Sequence, residues 1–229
     1  LHQNGLEASN RTAINADLQT YLTLAQVETG PRPTAVILMH GLSGSGKSFV
    51  SEKICEHFAA IRLRSDVERK RLFGQWGDPG PTQLGGDMYS AKTTETVYRE
   101  ILAVHVPCIL NAGFSAVVDA TCLHSWQRQV FRDLAAQLGV RFVIVTVQAQ
   151  PETLRQRLVQ RRAATHDPSD ADIAVLEQQL ALHEPLSSTE QSASLVVNTE
   201  SKDWWPTLAT DIQRTCKISP MKKVAPRQH

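Results

Sequence analysis

Gly41-Leu42-Ser43-Gly44-Ser45-Gly46-Lys47-Ser48 fits the pattern G-x-x-x-x-G-K-[ST], and the fold is read outward from it. Ala35-Val36-Ile37-Leu38-Met39 before it is an unbroken apolar run of strand length, and a helical pattern runs from Ser48 to about Phe58 after it. Strand, glycine-rich turn and helix together make a phosphate-binding loop. Glycines remove side chains from the turn, so successive backbone N–H groups can face a chain of phosphates, and the next helix adds the positive end of its dipole. Gly41 through Ser48 are therefore expected to hold a nucleoside triphosphate. Lys47 would supply a point charge to its outer phosphates and the Ser48 hydroxyl would ligate Mg2+.

Two further strands are predicted to end in carboxylates. Ala60-Ile61-Arg62-Leu63 alternates and runs into Arg64-Ser65-Asp66, followed by the charged helical stretch Val67-Glu68-Arg69-Lys70-Arg71. In an open parallel sheet, ligands bind at the carboxyl ends of the strands, where Asp66 could accept the proton of an attacking hydroxyl or simply cap a helix. Arg64, Arg69 and their basic neighbours are candidates to hold a substrate, or form a solvated helix face. Ser115-Ala116-Val117-Val118-Asp119 is the second such strand; Asp119 is expected beside Ser48, ordering Mg2+ or its waters and facing the substrate, or else merely capping the next turn.

Residues 74 to 88 are rich in glycine and proline and predict a loop shaping an acceptor pocket, with Trp76 and Tyr89 in or beside it. A long helix is expected from about Ser90 to Asn111, with Val97, Ile101, Leu102, Val104 and Cys108 on its apolar side and a kink near Pro107. Arg141 to Val147 reads as a buried strand and Ser194 to Thr199 as another. Pro151 opens a helix in which Arg157 and Arg161, four apart, share a face; Ala163 to Asp170 reads as a hinge, and Ser169-x-x-Asp172 as a capping box opening a helix to about His183. That layout is the layout of a lid that excludes water, with guanidinium groups that suit phosphate oxygens; the alternative is an exposed basic helix.

The chain has 229 residues, 41% of them hydrophobic, enough for one α/β domain with appendages. A formal net charge of +1 gives no global attraction to nucleic acid or membrane. Cys55, Cys108, Cys122 and Cys216 are scattered, which indicates neither a zinc site nor a disulfide framework and suits a reducing cytoplasm. No apolar run reaches the roughly 18 residues of a membrane span. Ile14, Leu18, Tyr21, Leu22 and Ala25 predict an amphipathic helix, joined by Gly30-Pro31-Arg32-Pro33 to the first core strand. The expected division is therefore 1–33 helix and linker, 34–215 core domain, and 216–229 basic tail. The chain opens on Leu1 without methionine, so a missing upstream segment is expected.

Gly41 to Ser48, the run Arg62 to Gly74, and Val118-Asp119-Ala120-Thr121 together resemble the small P-loop kinase-like ATP-binding domains of the AAA-like predicted kinase family, over roughly residues 34 to 200. The Arg64 to Gly74 run resembles the versions found C-terminal to aminoglycoside-phosphotransferase-like domains in bacterial proteins, which would make Leu1 to Pro33 the tail of such a domain. Wider relatives include polynucleotide kinase, chloramphenicol phosphotransferase, gluconate kinase and zeta toxin. The resemblance implies an α/β fold with a five-stranded parallel sheet in the order 2-3-1-4-5, helices on both faces and a helical lid. It implies ATP with Mg2+ as cofactors, Asp66 as the acceptor-activating aspartate, Asp119 as the companion carboxylate, and Arg157 with Arg161 or Arg162 as lid arginines. The expected activity is transfer of the terminal phosphoryl group to a small-molecule hydroxyl by a cytoplasmic monomer. The alternatives are a nucleic-acid 5′-hydroxyl kinase, which the neutral overall charge disfavours, and a nucleotide-sensing module regulating an upstream domain.

Overall fold

The computed structural model describes residues 32–74, 86–163 and 171–221, with side chains described for 32–74, 88–161 and 171–221. The chain divides into two units, Leu1–Arg32 and Pro33–His229, and the sheet belongs to the second. The expected N-terminal helix, Trp76 with most of its glycine- and proline-rich loop, the hinge at 164–170 and the end of the basic tail lie outside the described residues.

Among the described residues, β1 (Ala35–His40), β2 (Ala60–Arg64), β3 (Ser115–Asp119), β4 (Arg141–Gln148) and β5 (Ser194–Asn198) form one sheet in the order β2-β3-β1-β4-β5. Every pairing is parallel, so each crossover is long enough to carry helix. The helices are α1 (Lys47–His57), α2 (Ser65–Leu72), α3 (Ala91–Thr96), α4 (Ala103–Asn111), α5 (Ser125–Gln137), α6 (Pro151–Ala163), α7 (Ile173–Leu182), α8 (Ser188–Ser192) and α9 (Trp204–Cys216).

The apolar run of β1 is explained by helices on both faces. Val36 and Leu38 join Val118 and Ile144 in a core beneath α4 and α5, while Ala35, Ile37 and Met39 join Val143 and Val145 in a second core beneath α1 and α9. A smaller cluster of Leu154, Leu158 and Leu176 ties α6 to α7 and packs on Leu42 of the glycine-rich turn. The second core extends past residue 215, where a tail was expected: Cys216 and Ile218 are buried, Pro220 bridges to Phe58, and the Met221 N–H donates to the His57 carbonyl at 2.8 Å.

The helix expected over 90–111 begins as read, with the Ser90 hydroxyl accepting from the Thr93 N–H at 3.2 Å. It then widens into a π-helical segment, Val97–Leu102, before α4 resumes. Each π turn carries an extra residue and advances the buried face. Downstream residues consequently fall out of the 3.6-residue phase: Val106, Ile109 and Leu110 are buried, whereas Val104 and Cys108, expected inside, are exposed. Pro107 lies inside α4, and the wide segment ends five residues before it.

One buried ion pair was not legible in the sequence. Arg128 of α5 is 1% exposed and Glu190 of α8 is 5% exposed. Arg128 Nε donates to Glu190 Oε1 at 2.8 Å, and its other nitrogens reach the carbonyls of Cys122, Glu184 and Pro185. Desolvation opposes ionisation of Glu190, but the Arg128 and Ser187 hydrogen bonds prevail and hold its pKa down to about 2. The pair fastens the stretch after α7 to the loop after β3. Arg128→Ala, which leaves the buried Glu190 with only the partly exposed Arg132 at 3.1 Å as an ionic partner, is expected to cost up to about 3–5 kcal/mol of stability in a urea-unfolding titration; a loss below about 1 kcal/mol would show the pair to be dispensable.

Candidate functional site

The turn after β1 is shaped by contacts that tolerate no side chain at its glycines. Gly41, Gly44 and Gly46 have φ of 140°, 82° and 98°. A Cβ on Gly41 would lie 2.4 Å from the Val147 carbonyl oxygen, and one on Gly44 would lie 2.8 Å from that of Leu154. The loop is therefore pressed against the carboxyl end of β4 and the first turn of α6.

Its outer side is clamped. Arg157 Nη1 donates to the carbonyls of Gly44 and Ser45 at 3.3 and 3.2 Å and to Thr199 Oγ1 at 2.8 Å. Thr199 Oγ1 in turn donates to the Ser45 carbonyl at 2.8 Å. The N–H groups of Gly41, Ser43 and Ser45 go to Thr121, Gln179 and Leu42, which leaves those of Gly44, Gly46, Lys47 and Ser48 for an anion. Arg157 was expected as a phosphate-facing lid residue; here its Nη1 braces the loop's own backbone. Neither Thr199 nor the α7 residue Gln179, whose Oε1 accepts from the Ser43 N–H at 2.8 Å, was marked by any sequence signal. Arg161 Nη2 donates to the Ala171 carbonyl at 2.6 Å, joining α6 to the segment before α7. The Arg162 side chain lies outside the described residues. Asp172 itself caps α7, its Oδ1 accepting from Val175 N at 3.0 Å, in place of the expected box opened by Ser169.

Lys47 lies in the first turn of α1, with Nζ donating to the Leu42 carbonyl at 2.8 Å. Burial pulls its pKa down to about 8, against the opposing pull of Asp119. Asp119, 5% exposed at the end of β3, accepts from Ser51 Oγ at 3.0 Å and is hydrogen-bonded by the Ser48 side chain. Desolvation pushes its pKa up, with Lys47 the strongest counterweight, followed by Arg64. Arg62 and Arg64, two apart on β2 and so on one face of the strand, approach its Oδ2 at 4.0 and 3.9 Å.

Asp66 stands in the first turn of α2. Arg64 grips both its oxygens, Nη2 to Oδ2 at 2.8 Å and Nε to Oδ1 at 3.2 Å, and the Val67 N–H donates to Oδ1. Two cavities meet at this carboxylate. One, about 280 Å³, is lined by Lys47, Ser48, Asp119, Arg157 and Arg161; the other, about 420 Å³, runs over Arg69, Tyr98 and Gln178. Ser43, Ser65, Asp66 and Thr121 line both. Polyphosphate in the first cavity and a hydroxyl compound in the second would therefore meet across Asp66.

The donors fit a magnesium ion of the kind that is shared with phosphate and water. Ser48 and Asp119 supply one hydroxyl and one carboxylate, and no cluster of three or more His, Cys, Asp or Glu side chains able to cage an ion occurs among the described residues. No helix among the described residues is long and apolar enough to cross a membrane.

Comparison with known proteins agrees with this geometry. The AAA domain family model matches residues 36–186. Uncharacterised proteins of Mycobacterium tuberculosis H37Rv and Mycobacterium bovis are each 28% identical over 162 residues, 69% of this chain; the match spans 32%, about a third, of their length. Among solved structures, a Chloroflexus aurantiacus protein aligns with TM-score 0.59 at 18% identity, over 80% of this chain and 99% of its own. Chaetomium thermophilum Kti12 in complex with ADP-AlF3 aligns with TM-score 0.57 at 14% identity, over 79% and 98%. The Mycobacterium tuberculosis APS kinase in complex with AMPPNP and APS aligns with TM-score 0.53 at 21% identity, over 80% and 99%. The fold is that of the P-loop kinases, with the strand order the resemblance implied.

The electrostatics of the cavity can be checked directly. Lys47 is expected to titrate near pH 8 in an NMR titration of its side chain. Asp119→Asn removes the charge that opposes desolvation and is expected to lower that midpoint further. A midpoint unmoved by the substitution would show that the two groups are not coupled.

Proposed function

The chain belongs to the AAA domain family, and on that premise we propose that it is an ATP-dependent phosphotransferase acting on a hydroxyl of a small molecule. The observation that carries the reading is the position of Asp66, on the wall common to the loop cavity and its neighbour. In this reading the N–H groups of Gly44, Gly46, Lys47 and Ser48 and the Lys47 ammonium bind the phosphates, and Ser48 with Asp119 would hold Mg2+, which supplies charge neutralisation when bound.

Asp66 takes the proton of the acceptor hydroxyl as its oxygen forms the new bond to the terminal phosphorus. The bond between that phosphorus and the bridging oxygen breaks, and ADP leaves with its electron pair. The bidentate grip of Arg64 fixes the Asp66 carboxylate in orientation, which limits the search for a productive geometry. In this reading Arg161, which lines the same cavity from α6, serves as the lid cation for the migrating group, and Arg157 supports the loop by holding its carbonyls.

The alternative of a nucleic-acid acceptor loses support because three of the basic residues on β2 and α2 have protein partners. Arg64 is bonded to Asp66, Arg69 to the Met88 carbonyl at 2.8 Å, and Arg71 to Glu68 at 2.5 Å. An upstream aminoglycoside-phosphotransferase-like domain remains part of the proposal; supporting it is the greater length of the mycobacterial relatives, of which the match spans 32%.

Asp66→Asn is expected to leave ATP affinity within about twofold while lowering phosphoryl transfer by about 10²- to 10⁴-fold in an ADP-release assay, the range of a lost general base. Retained transfer would reduce Asp66 to a structural residue. Nucleotide affinity carries a second signature. Because Lys47 loses its proton near pH 8 and only the ammonium form attracts phosphate, Kd should weaken by up to about tenfold per pH unit above that point. Calorimetry showing unchanged affinity from about pH 7 to about pH 9.5 would contradict the assignment of Lys47 to the phosphates.

A further inference from the structure

On the β4 side of the glycine-rich turn lies a third cavity, of about 270 Å³. Among the described residues it shares no lining side chain with the cavity of Lys47 and Asp119. The turn gives it Gly41, Leu42 and Ser45, the end of β1 gives His40, and β4 gives Thr146 and Val147. Among the described residues, the buried side-chain atoms that lack a hydrogen-bond partner are His40 Nδ1 and Nε2, Ser45 Oγ and Thr146 Oγ1. All four belong to residues that line this one cavity, and those residues are 4%, 1% and 6% exposed.

Buried polar groups are ordinarily paired, and leaving one unpaired is costly. Four such atoms around a single space mark a site whose hydrogen bonds are completed by a molecule other than the chain. The groups are also neighbours. His40 and Thr146 stand side by side in register on β1 and β4, and an added Cβ on Gly41 would come within 3.2 Å of Ser45 Oγ, so that hydroxyl is folded back under the start of the turn. Water can serve such groups, but the cavity is several times the roughly 30 Å³ that one water occupies.

The chemistry of the three side chains narrows the occupant. Burial, reinforced by Arg128, His183 and Lys47, holds the His40 pKa down to about 3. Its ring is therefore neutral near pH 7 and offers one donor and one acceptor, and each hydroxyl can act as both. None of the three brings a charge with which to replace the water an ion would lose. Together they complement a molecular edge on which donors and acceptors alternate. Beside them the wall is apolar at Leu42, Val147, Ala149 and Leu154, and the His183 ring lies 5.5 Å from that of His40. The Glu200 carboxylate in the lining already accepts from the Gln150 N–H at 3.0 Å and Thr153 Oγ1 at 2.6 Å. A polyol would press hydroxyls against the aliphatic wall, where they go unpaired. A flat ring can turn its polar edge to His40, Ser45 and Thr146 and its faces to the aliphatic and imidazole surfaces.

We propose that this cavity is a second binding site, which takes an uncharged, planar heterocyclic amide of nucleobase size through His40, Ser45 and Thr146. The site is separate from the phosphoryl-transfer centre, and it stands whether or not Asp66 acts as a base.

The test titrates the full chain, saturated with Mg2+ and a non-hydrolysable ATP analogue, with uracil, hypoxanthine and nicotinamide. Nicotinate and uracil-6-carboxylate serve as charged counterparts, and glycerol and inositol as polyols. Binding is read by calorimetry and by the nitrogen NMR shifts of the His40 ring. At least one neutral amide is expected to bind with Kd below about 1 mM and to move both His40 ring nitrogens. Thr146→Val, which keeps the side chain's shape and removes one of the unpartnered hydroxyls, is expected to weaken that binding by about tenfold and to leave affinity for the ATP analogue within about twofold. Failure of every neutral amide to bind overturns the proposal, and water alone then serves the three groups. Tighter binding of the charged counterparts or the polyols overturns it as well, as does amide binding that leaves the His40 nitrogens unmoved or is indifferent to Thr146→Val.

Discussion

The rest of the structure depends on how closely the turn after β1 is pressed against the carboxyl end of β4 and the start of α6. Gly41 and Gly44 face the carbonyl oxygens of Val147 and Leu154 at distances that would place an added Cβ at 2.4 and 2.8 Å. This close approach turns the carbonyls of Gly44 and Ser45 outward, where Arg157 and Thr199 take them up. A cup of N–H groups is thus the by-product of a packing constraint between a central strand, its neighbour and one helix. The apolar cores on both faces of the sheet supply the rigid frame against which this turn is packed.

Around that cup the charges are arranged in linked pairs. Lys47 and Asp119 are each disfavoured by burial, and each is the other's leading compensation. Arg62 and Arg64 sit on one face of β2 because the side chains of a strand alternate, and both come within about 4 Å of Asp119. Arg64 also grips Asp66. The two aspartates therefore share a cation, and the carboxylate facing the second cavity is electrostatically joined to the one facing the loop.

The second cavity owes its walls to irregularities. The π-helical segment Val97–Leu102 presents Tyr98 to it, and the Arg128–Glu190 pair holds the segment after α7 in place beside His124. A regular helix over 91–111 would carry a different set of residues on its buried face. The two cavities share Ser43, Ser65, Asp66 and Thr121, and Gln179 of the second wall accepts from the Ser43 N–H, so this wall is joined to the glycine-rich turn.

The sequence by itself determined the glycine-bent loop, the two carboxylates at strand ends and the layered α/β frame. Each of these is encoded locally: Gly41 to Ser48 by residue type at fixed spacing, Asp66 and Asp119 by their place at the end of an apolar or alternating run. Tertiary structure alone decided the rest, because it depends on residues far apart in the chain. Nothing near Arg157 announces that its guanidinium would turn to Gly44, 113 residues away, instead of outward. Nor does any local pattern join Arg128 to Glu190, 62 positions on. Phase is the third case: periodicity assumes 3.6 residues per turn, and one wide segment was enough to exchange Val104 and Cys108 for Val106 and Ile109 in the core.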